Sequence, residues 1–352
     1  MVGARAAGRA SAEGRRSRTA VDSPSAAGHH PVVAPCWGET AGEDRRSGAR
    51  TLQDDAPVLA IDLGGTKASF AVIEPGGTVL SRSKQPSHEG GTALSLEALA
   101  ASAAETLDAA GFEWSGVRAA GLVVPGIYDA ATGRAWAPNL WGTDEVPLLD
   151  ALRPHLPVPV VIDSDRSGYV LGEAWQGAAR GARDVVFLAV GTGIGAGILS
   201  DGRLVRGHGG IAGAVGWLAL DPRWREDYGR MGSFEAEAAG PALARRLGRA
   251  AAEEVAEAAR RGDPAACRAV DETVEWLAMG TANLISVLNP QVVVLGGGLM
   301  QAADLFLEPL RRAVRRWAQP FAVERCRIES SRLGEDAALF GAARLALLGE
   351  PT

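Results

Sequence analysis

Cysteine is scarce in this sequence: Cys36, Cys267 and Cys326 are the full set in 352 residues, and they stand far apart. At that spacing they make neither a disulfide framework nor a metal-spaced pair, which excludes a small secreted scaffold and points to a reducing cytoplasm. Long apolar runs are missing as well. None reaches the length of a membrane span, so no membrane partner is expected. Positive charge is not in excess either. Lys plus Arg total 36 against 42 Asp plus Glu, a net charge of −6, which offers no overall attraction to nucleic acid or to an acidic membrane. What remains is 47% hydrophobic and 22% charged, in a chain long enough for two domains with real cores.

The first 55 residues differ from the rest. They are rich in Ala, Gly, Ser and Arg, hold His29-His30 and show no sustained apolar period, so they cannot bury enough surface to offset their chain entropy. We expect a disordered tail, or the product of an upstream start codon. There is no apolar h-region of a secretory signal, and Glu13, Asp22, Glu39, Glu43 and Asp44 argue against a transit segment. Nor are there the amphipathic helices of a helix-turn-helix domain.

The chain is organised around Val58 to Ile73. An apolar strand runs to Asp62, turns on Gly64-Gly65 and returns from Lys67. Backbone amides at a glycine turn form an anion-binding concavity, and a carboxylate at the strand end suits Mg²⁺ held through water beside phosphates. Taken alone, the stretch fits a tight hairpin with a solvated Asp equally well. A second strand–glycine–strand hairpin follows at Asp184 to Leu199, through Gly191-Thr-Gly-Ile-Gly195. Two such hairpins, one near the start of each half, suggest an internal duplication with phosphates held between the halves.

Between and after them, strands are expected at Val79–Lys84, Val117–Val124, Pro157–Ile162 and Gln291–Leu295. Helices are expected at Thr92–Ala110, Ser167–Ala179, Ser233–Arg260, Pro264–Leu288, Met300–Trp317 and Asp336–Leu348. The Gly133–Trp141 stretch is read as a loop whose Trp, Pro and Asn line a small-molecule cleft. Asp165 falls where a strand hands over to a helix, at the carboxyl edge where open α/β sheets place their chemistry. Its bland alternative is a helix N-cap.

Together these residues resemble the ROK family of sugar kinases (repressors, open reading frames, kinases), of the actin-like ATPase (hexokinase–Hsp70–actin) α/β fold. The carriers are Leu63-Gly-Gly-Thr-Lys67, Pro125-Gly126, Pro138-Asn139, Asp165 with Leu171-Gly-Glu173, Gly191 to Gly195, Ser233-Phe-Glu235, Gly240-Pro241, Gly296-Gly-Gly298 and Gly334-Glu-Asp336. The resemblance covers Val58 to Leu348. It implies two duplicated α/β domains around a cleft, at 56–160 and 161–332, with residues 333–352 returning as a helix onto the first. It further implies ATP with Mg²⁺ as cofactors and a small-molecule sugar substrate phosphorylated at its 6-hydroxyl, in a cytoplasmic homodimer.

Residue by residue, the resemblance makes Asp165 the general base and gives Asn139, Ser164 and Glu235 to the sugar. Asp62, Gly64, Gly65, Thr66, Lys67, Gly191, Thr192, Gly193 and Gly195 would hold the ATP phosphates, and Gly296, Gly297 and Gly298 would flank the adenosine. Glucose is the default sugar, an amino-hexose the favoured variant, and a non-catalytic sugar-binding regulator the rival reading.

Departures from the family are informative. Its Gly-Glu-x-Gly-His run reads Gly213-Ala-Val-Gly-Trp217 here, and its cysteine knuckle reads Arg223 to Ser233 with no cysteine. Zinc needs thiolate or imidazole ligands at fixed spacing, so no structural zinc is expected. Trp217 and Trp224 are expected to fill that space by packing, and Arg166 to be a solvated charge on a helix's first turn. Ser164 and Ser167 stand where asparagines are usual, which shortens both polar groups.

Overall fold

The computed structural model describes residues 55–89 and 92–349, so the tail read from the sequence lies, apart from Asp55, outside the described residues. Two five-stranded sheets carry the fold. The first holds β1 (Val58–Leu63), β2 (Lys67–Ile73), β3 (Val79–Pro86), β4 (Ala120–Val124) and β5 (Val160–Ser164), in the order β5-β4-β1-β2-β3. The second holds β6 (Val185–Val190), β7 (Ile194–Ser200), β8 (Arg203–Leu204), β9 (Val292–Gly296) and β10 (Arg327–Ser330), in the order β8-β7-β6-β9-β10. In each, the first three strands form an antiparallel meander and the last two join parallel on the other side. The two orders are the same, which is the topological mark of a duplication.

The central strands are covered on both faces, which is why they read as continuous apolar runs. On β1, Leu59 and Ile61 join the outer core of the first sheet with Phe70, Leu122 and Leu107. Val58 and Ala60 face the other way, into a core shared by both sheets. Edge strand β3 instead alternates half-buried with exposed residues, as its polar sequence dictates.

One helix of the amino-terminal half, α1 (Leu96–Ala109), covers the outer face of the first sheet. Two helices lie in the shared core: α2 (Asp165–Gln176) and α8 (Ala337–Leu348), the latter also contacting β1 and β4. They meet backbone to backbone. A methyl at Gly341 would overlap the Gly168 carbonyl, one at Gly172 the Ala337 carbonyl, and one at Gly121 of β4 the Ala342 carbonyl.

The outer face of the second sheet carries α3 (Ser233–Ala238), α4 (Gly240–Arg246), α5 (Ala252–Arg260), α6 (Pro264–Leu288) and α7 (Ala303–Val314). The longest, α6, has the bounds its sequence predicts. Asp263 caps it by accepting from the amides of Ala265 and Ala266, Pro264 fills the first position, and Asn289 ends it in the left-handed region. The single helix expected over Ser233–Arg260 is three. Ala239 turns extended (ψ 163°) before Gly240-Pro241, and the freed Gly240 amide donates to the Gly191 carbonyl at 2.8 Å. The loop expected at Gly133–Trp141 also holds structure, the strand Arg134–Trp136 of a small sheet with Ile127–Asp129 and Glu145–Val146, and a short helix at Pro138–Trp141.

Candidate active site

The carboxyl ends of β1, β4 and β5 lie side by side, with Asp62 and Asp163 both registered against Val123. Asp62 is half-buried. Burial first, and then the nearby charge of Asp165, push its carboxyl up to about 7, against the pull of Lys67 and Lys84. A carboxylate that costs this much to ionise is stabilised by any cation brought to it.

Asp165 opens α2, but it is not the cap. Ser164 holds that position with extended backbone (φ −71°, ψ 154°), and its side chain accepts from the Ser167 amide at 3.4 Å. The cap alternative therefore falls on Ser164, which is 5% exposed and also points its hydroxyl at Ser167 Oγ. Among the described residues Asp165 accepts only the Arg166 amide, at 2.8 Å on Oδ1. Burial raises its carboxyl to about 6, partly offset by the Arg166 charge. Tyr169, one turn along and stacked on Phe187 at 5.1 Å, is held well above its ordinary range by burial and by Asp165 and Asp62.

Arg166 corrects the expectation of a solvated charge. It is partly buried, and its Nη2 donates to the carbonyls of Gly126 (3.3 Å) and Gly210 (3.4 Å). Those partners lie 40 and 44 residues away, beyond any local reading. A second pair was not foreseen from the sequence. Asp163, 3% exposed, accepts from Arg206 Nε at 2.6 Å and from the Ser164 amide at 2.7 Å. Arg206 begins the glycine-rich stretch Arg206–Trp217, so this ion pair ties that stretch to β5, the strand that leads into the catalytic candidate.

Each glycine turn touches one residue expected at the sugar. A methyl at Gly65 would stand 3.2 Å from Asn139 Cβ, and one at Gly193 would stand 2.8 Å from Glu235 Oε2. Asn139 is exposed, on the short helix after Trp136. Glu235 sits in the first turn of α3 and accepts the Ile194 amide at 2.7 Å, and burial raises its carboxyl. The first turn is closed by Gly64 N–H donating to the Lys67 carbonyl (3.0 Å), and the second by Gly191 N–H donating to the Gly193 carbonyl (2.9 Å). Thr66 accepts the Ser87 amide on its carbonyl. Lys67 reaches Glu335 instead, an exposed pair at 2.6 Å, which brings the Gly334-Glu-Asp336 motif to the first hairpin.

Beyond the second turn lies a cavity of about 320 Å³, walled by Gly191, Thr192, Gly240, Pro241, Gly298 and Leu299. A further recess of about 150 Å³, between Glu253, Arg260 and Gln301, shares its Gly298 wall. The three glycines after β9 have different duties. A methyl at Gly296 would overlap the Phe187 ring, and Gly297 (φ +88°) crosses over the Val190 backbone. Only Gly298 faces open space. The Gly240-Pro241 wall was legible as a motif but not as a site, because its role depends on the helix break that no propensity announces.

The Arg223–Ser233 segment holds an ionic knot. Glu237, 7% exposed, accepts from Tyr228 Oη at 2.9 Å and pairs with Arg225 (2.6 Å) and Arg246 (3.2 Å). Arg225 also lies over the Tyr228 ring, 4.5 Å from its centroid. Tyr228 and these guanidinia take the space expected for the tryptophans. Trp217 and Trp224 are 57% and 75% exposed, which overturns the packing expectation. Among the described residues no cluster of three His, Cys, Asp or Glu side chains is placed to hold a metal.

Comparison with known proteins gives the same assignment along the whole folded chain. The ROK family model matches residues 58–348. A glucokinase of Thermotoga maritima is 30% identical over 310 residues, 82% of this chain and 96% of the relative. The solved ROK hexokinase of Thermus thermophilus superposes with a TM-score of 0.69 at 33% identity, covering 83% of this chain and 98% of that one. A ROK glucokinase of Streptomyces griseus, solved with glucose and AMPPNP, gives 0.65 at 28%, covering 82% and 98%. The doubled sheets are thus the actin-like fold of hexokinases, and the chain belongs to the ROK family.

Proposed function

We propose that the protein is an ATP-dependent kinase that phosphorylates a hexose or hexose derivative at its 6-hydroxyl, with Asp165 as general base. The observation that carries this reading is the pairing of a half-buried Asp165, which is not the helix cap, with a second half-buried carboxylate, Asp62, at the carboxyl edge of the first sheet, both raised by desolvation. Glycine turns flank that edge and a nucleotide-sized cavity lies beside the second of them. The Streptomyces griseus relative, whose structure holds glucose and AMPPNP, supports the two ligand classes.

In this reaction the sugar's 6-oxygen attacks the γ-phosphorus, the bond to the ADP oxygen breaks, and the hydroxyl proton passes to Asp165. Oδ1 is occupied by the Arg166 amide, so Oδ2 is the atom free to take it. A carboxyl lifted to about 6 is a stronger base than an ordinary Asp yet stays mostly ionised at neutral pH. Asn139 and Glu235 orient the sugar from opposite turns. The Gly64 and Gly191 amides close the two turns, which leaves the amides of Gly65, Thr192 and Gly193 to take phosphate charge, and Gly298 opens the wall beside the adenosine. Asp62, costly to ionise alone, fits a Mg²⁺ held through water. That ion, carried with ATP, neutralises charge on the phosphates.

The direct test is ADP release from MgATP with a panel of neutral hexoses, amino-hexoses and their derivatives. Sugar-dependent ADP with equal sugar 6-phosphate is expected, and the absence of any sugar dependence would leave the regulator reading in its place. Gly298→Val checks the nucleotide side. Its Cβ meets nothing within 4 Å, so folding should survive while KM for ATP rises on the order of tenfold or more. Gly296→Ala, aimed into Phe187, should instead lower the melting temperature. Equal ATP KM in Gly298→Val and wild type would move the adenosine elsewhere.

A further inference from the structure

We propose that the acceptor sugar carries an oxyanion, carboxylate or phosphate, and that Arg166 receives it. This rests on the kinase reading and names the substrate class of the same site.

Arg166 directly follows Asp165, and its side chain lies where three cleft loops meet. Gly126 follows β4, Gly210 belongs to the loop after β8, and a methyl at Gly195, at the start of β7 just past the second turn, would stand 3.0 Å from Arg166 Cδ. The guanidinium is poorly matched in this state. One nitrogen, Nη2, makes both of its hydrogen bonds, at 3.3 and 3.4 Å, the long end of the useful range. Among the described residues Nε and Nη1 make none, and the charges of Asp165 and Asp163 act on the guanidinium without a direct ion pair. Arginine cannot shed its proton to escape this cost. A partly buried cation with donors to spare, beside a reaction centre, is complementary to an anion arriving with the substrate.

The neighbouring groups point the same way. Arg206 neutralises Asp163 and is not available to a ligand. The Ala214 side chain offers no acceptor, and the side chain of exposed Trp217 has only an N–H to donate. Asp165 and Glu235 remain as acceptors, but Glu235 Oε2 is already filled by the Ile194 amide. The spare donors on this side are therefore Nε and Nη1 of Arg166, which suit an anionic oxygen better than a neutral hydroxyl. A guanidinium fork matches a carboxylate or phosphate with two parallel hydrogen bonds. The anion cannot replace the reacting 6-hydroxyl, so it belongs toward the other end of the sugar. Gluconate and glucose 1-phosphate both meet that requirement.

The experiment uses the full chain with MgATP and compares gluconate, glucose 1-phosphate and glucose as acceptors, with melting curves to establish that each variant folds. For wild type, kcat/KM with one acidic acceptor should exceed that with glucose by about tenfold or more. Which of the two wins identifies carboxylate or phosphate. Arg166→Ala should lower the acidic acceptor's value on the order of 10²-fold, and Arg166→Lys, which keeps the charge without the fork, by less. A wild type that prefers glucose to both acids overturns the inference and leaves the kinase reading standing, as does an acidic acceptor indifferent to Arg166→Ala. If no acceptor is phosphorylated, the kinase reading fails. Calorimetric titration of both acids then decides this inference alone: binding lost in Arg166→Ala upholds it, and no binding to wild type overturns it.

Discussion

Asp165→Asn is expected to lower turnover on the best acceptor by about 10²–10⁴-fold, the usual cost of removing a general base. The amide keeps the size of the side chain and can still accept the Arg166 N–H, so nucleotide affinity should hold. The pH behaviour separates this role from a structural one. Because the carboxyl is raised to about 6, wild-type kcat/KM should fall as the pH drops through that value, and the residual rate of the variant should lack that limb. Stability runs in the opposite sense. The folded state holds this proton up to about pH 6 while the unfolded chain releases it near 3.8, so Asp165 favours folding least above that window. At pH 8 the variant should therefore melt no lower than wild type. Wild-type turnover in Asp165→Asn would end the general-base assignment.

Glu237→Ala should produce a large loss of stability. It leaves Arg246, 13% exposed, and Arg225 without their shared carboxylate, and strips Tyr228 of its acceptor. Breaking a buried pair from one side costs about 3–5 kcal/mol, which for a chain of this size lowers Tm on the order of 10 °C. Replacing Glu237 and Arg246 together by methionine should recover much of that loss, since no lone charge then stays buried. A thermal melt of Glu237→Ala within a degree of wild type would show that the knot contributes nothing. It occupies the segment where the sequence resemblance looks for a zinc knuckle, with charge and an aromatic ring as its cross-links.

Much of this was legible from residues alone, and the exceptions have physical causes. Both glycine hairpins stand where the apolar runs and Gly pairs place them, because strand and turn chemistry are local. Asp263-Pro264 and Asn289 bracket α6 for the same reason. The neighbours Ser164 and Asp165 are both good caps, and nothing in the sequence decides which takes the role. The Ala- and Glu-rich Ser233–Arg260 stretch reads as one helix because its propensity is continuous, while the break at Ala239 is stabilised by a hydrogen bond to Gly191, 49 positions back in the chain. Arg166 and Arg206 escaped for want of distant partners, Gly126, Gly210 and Asp163. Trp217 and Trp224 were assigned to the interior by their apolar bulk, but Tyr228 and Glu237 had already filled it.

The crossing of α2 and α8 works as a fulcrum. Gly168, Gly172, Gly341 and Gly121 let main chain rest on main chain, so the gap between the two sheets is set by peptide thickness and not by interlocking side chains. Asp165 stands at one end of that same α2, with Asp62 beside it on the first sheet and the Gly191 turn on the second. A single methyl group at the fulcrum would wedge the sheets apart, and the displacement would grow with distance along the helix toward the cleft. Substitutions at these four glycines would thus be felt as a misaligned reaction, at residues they never touch.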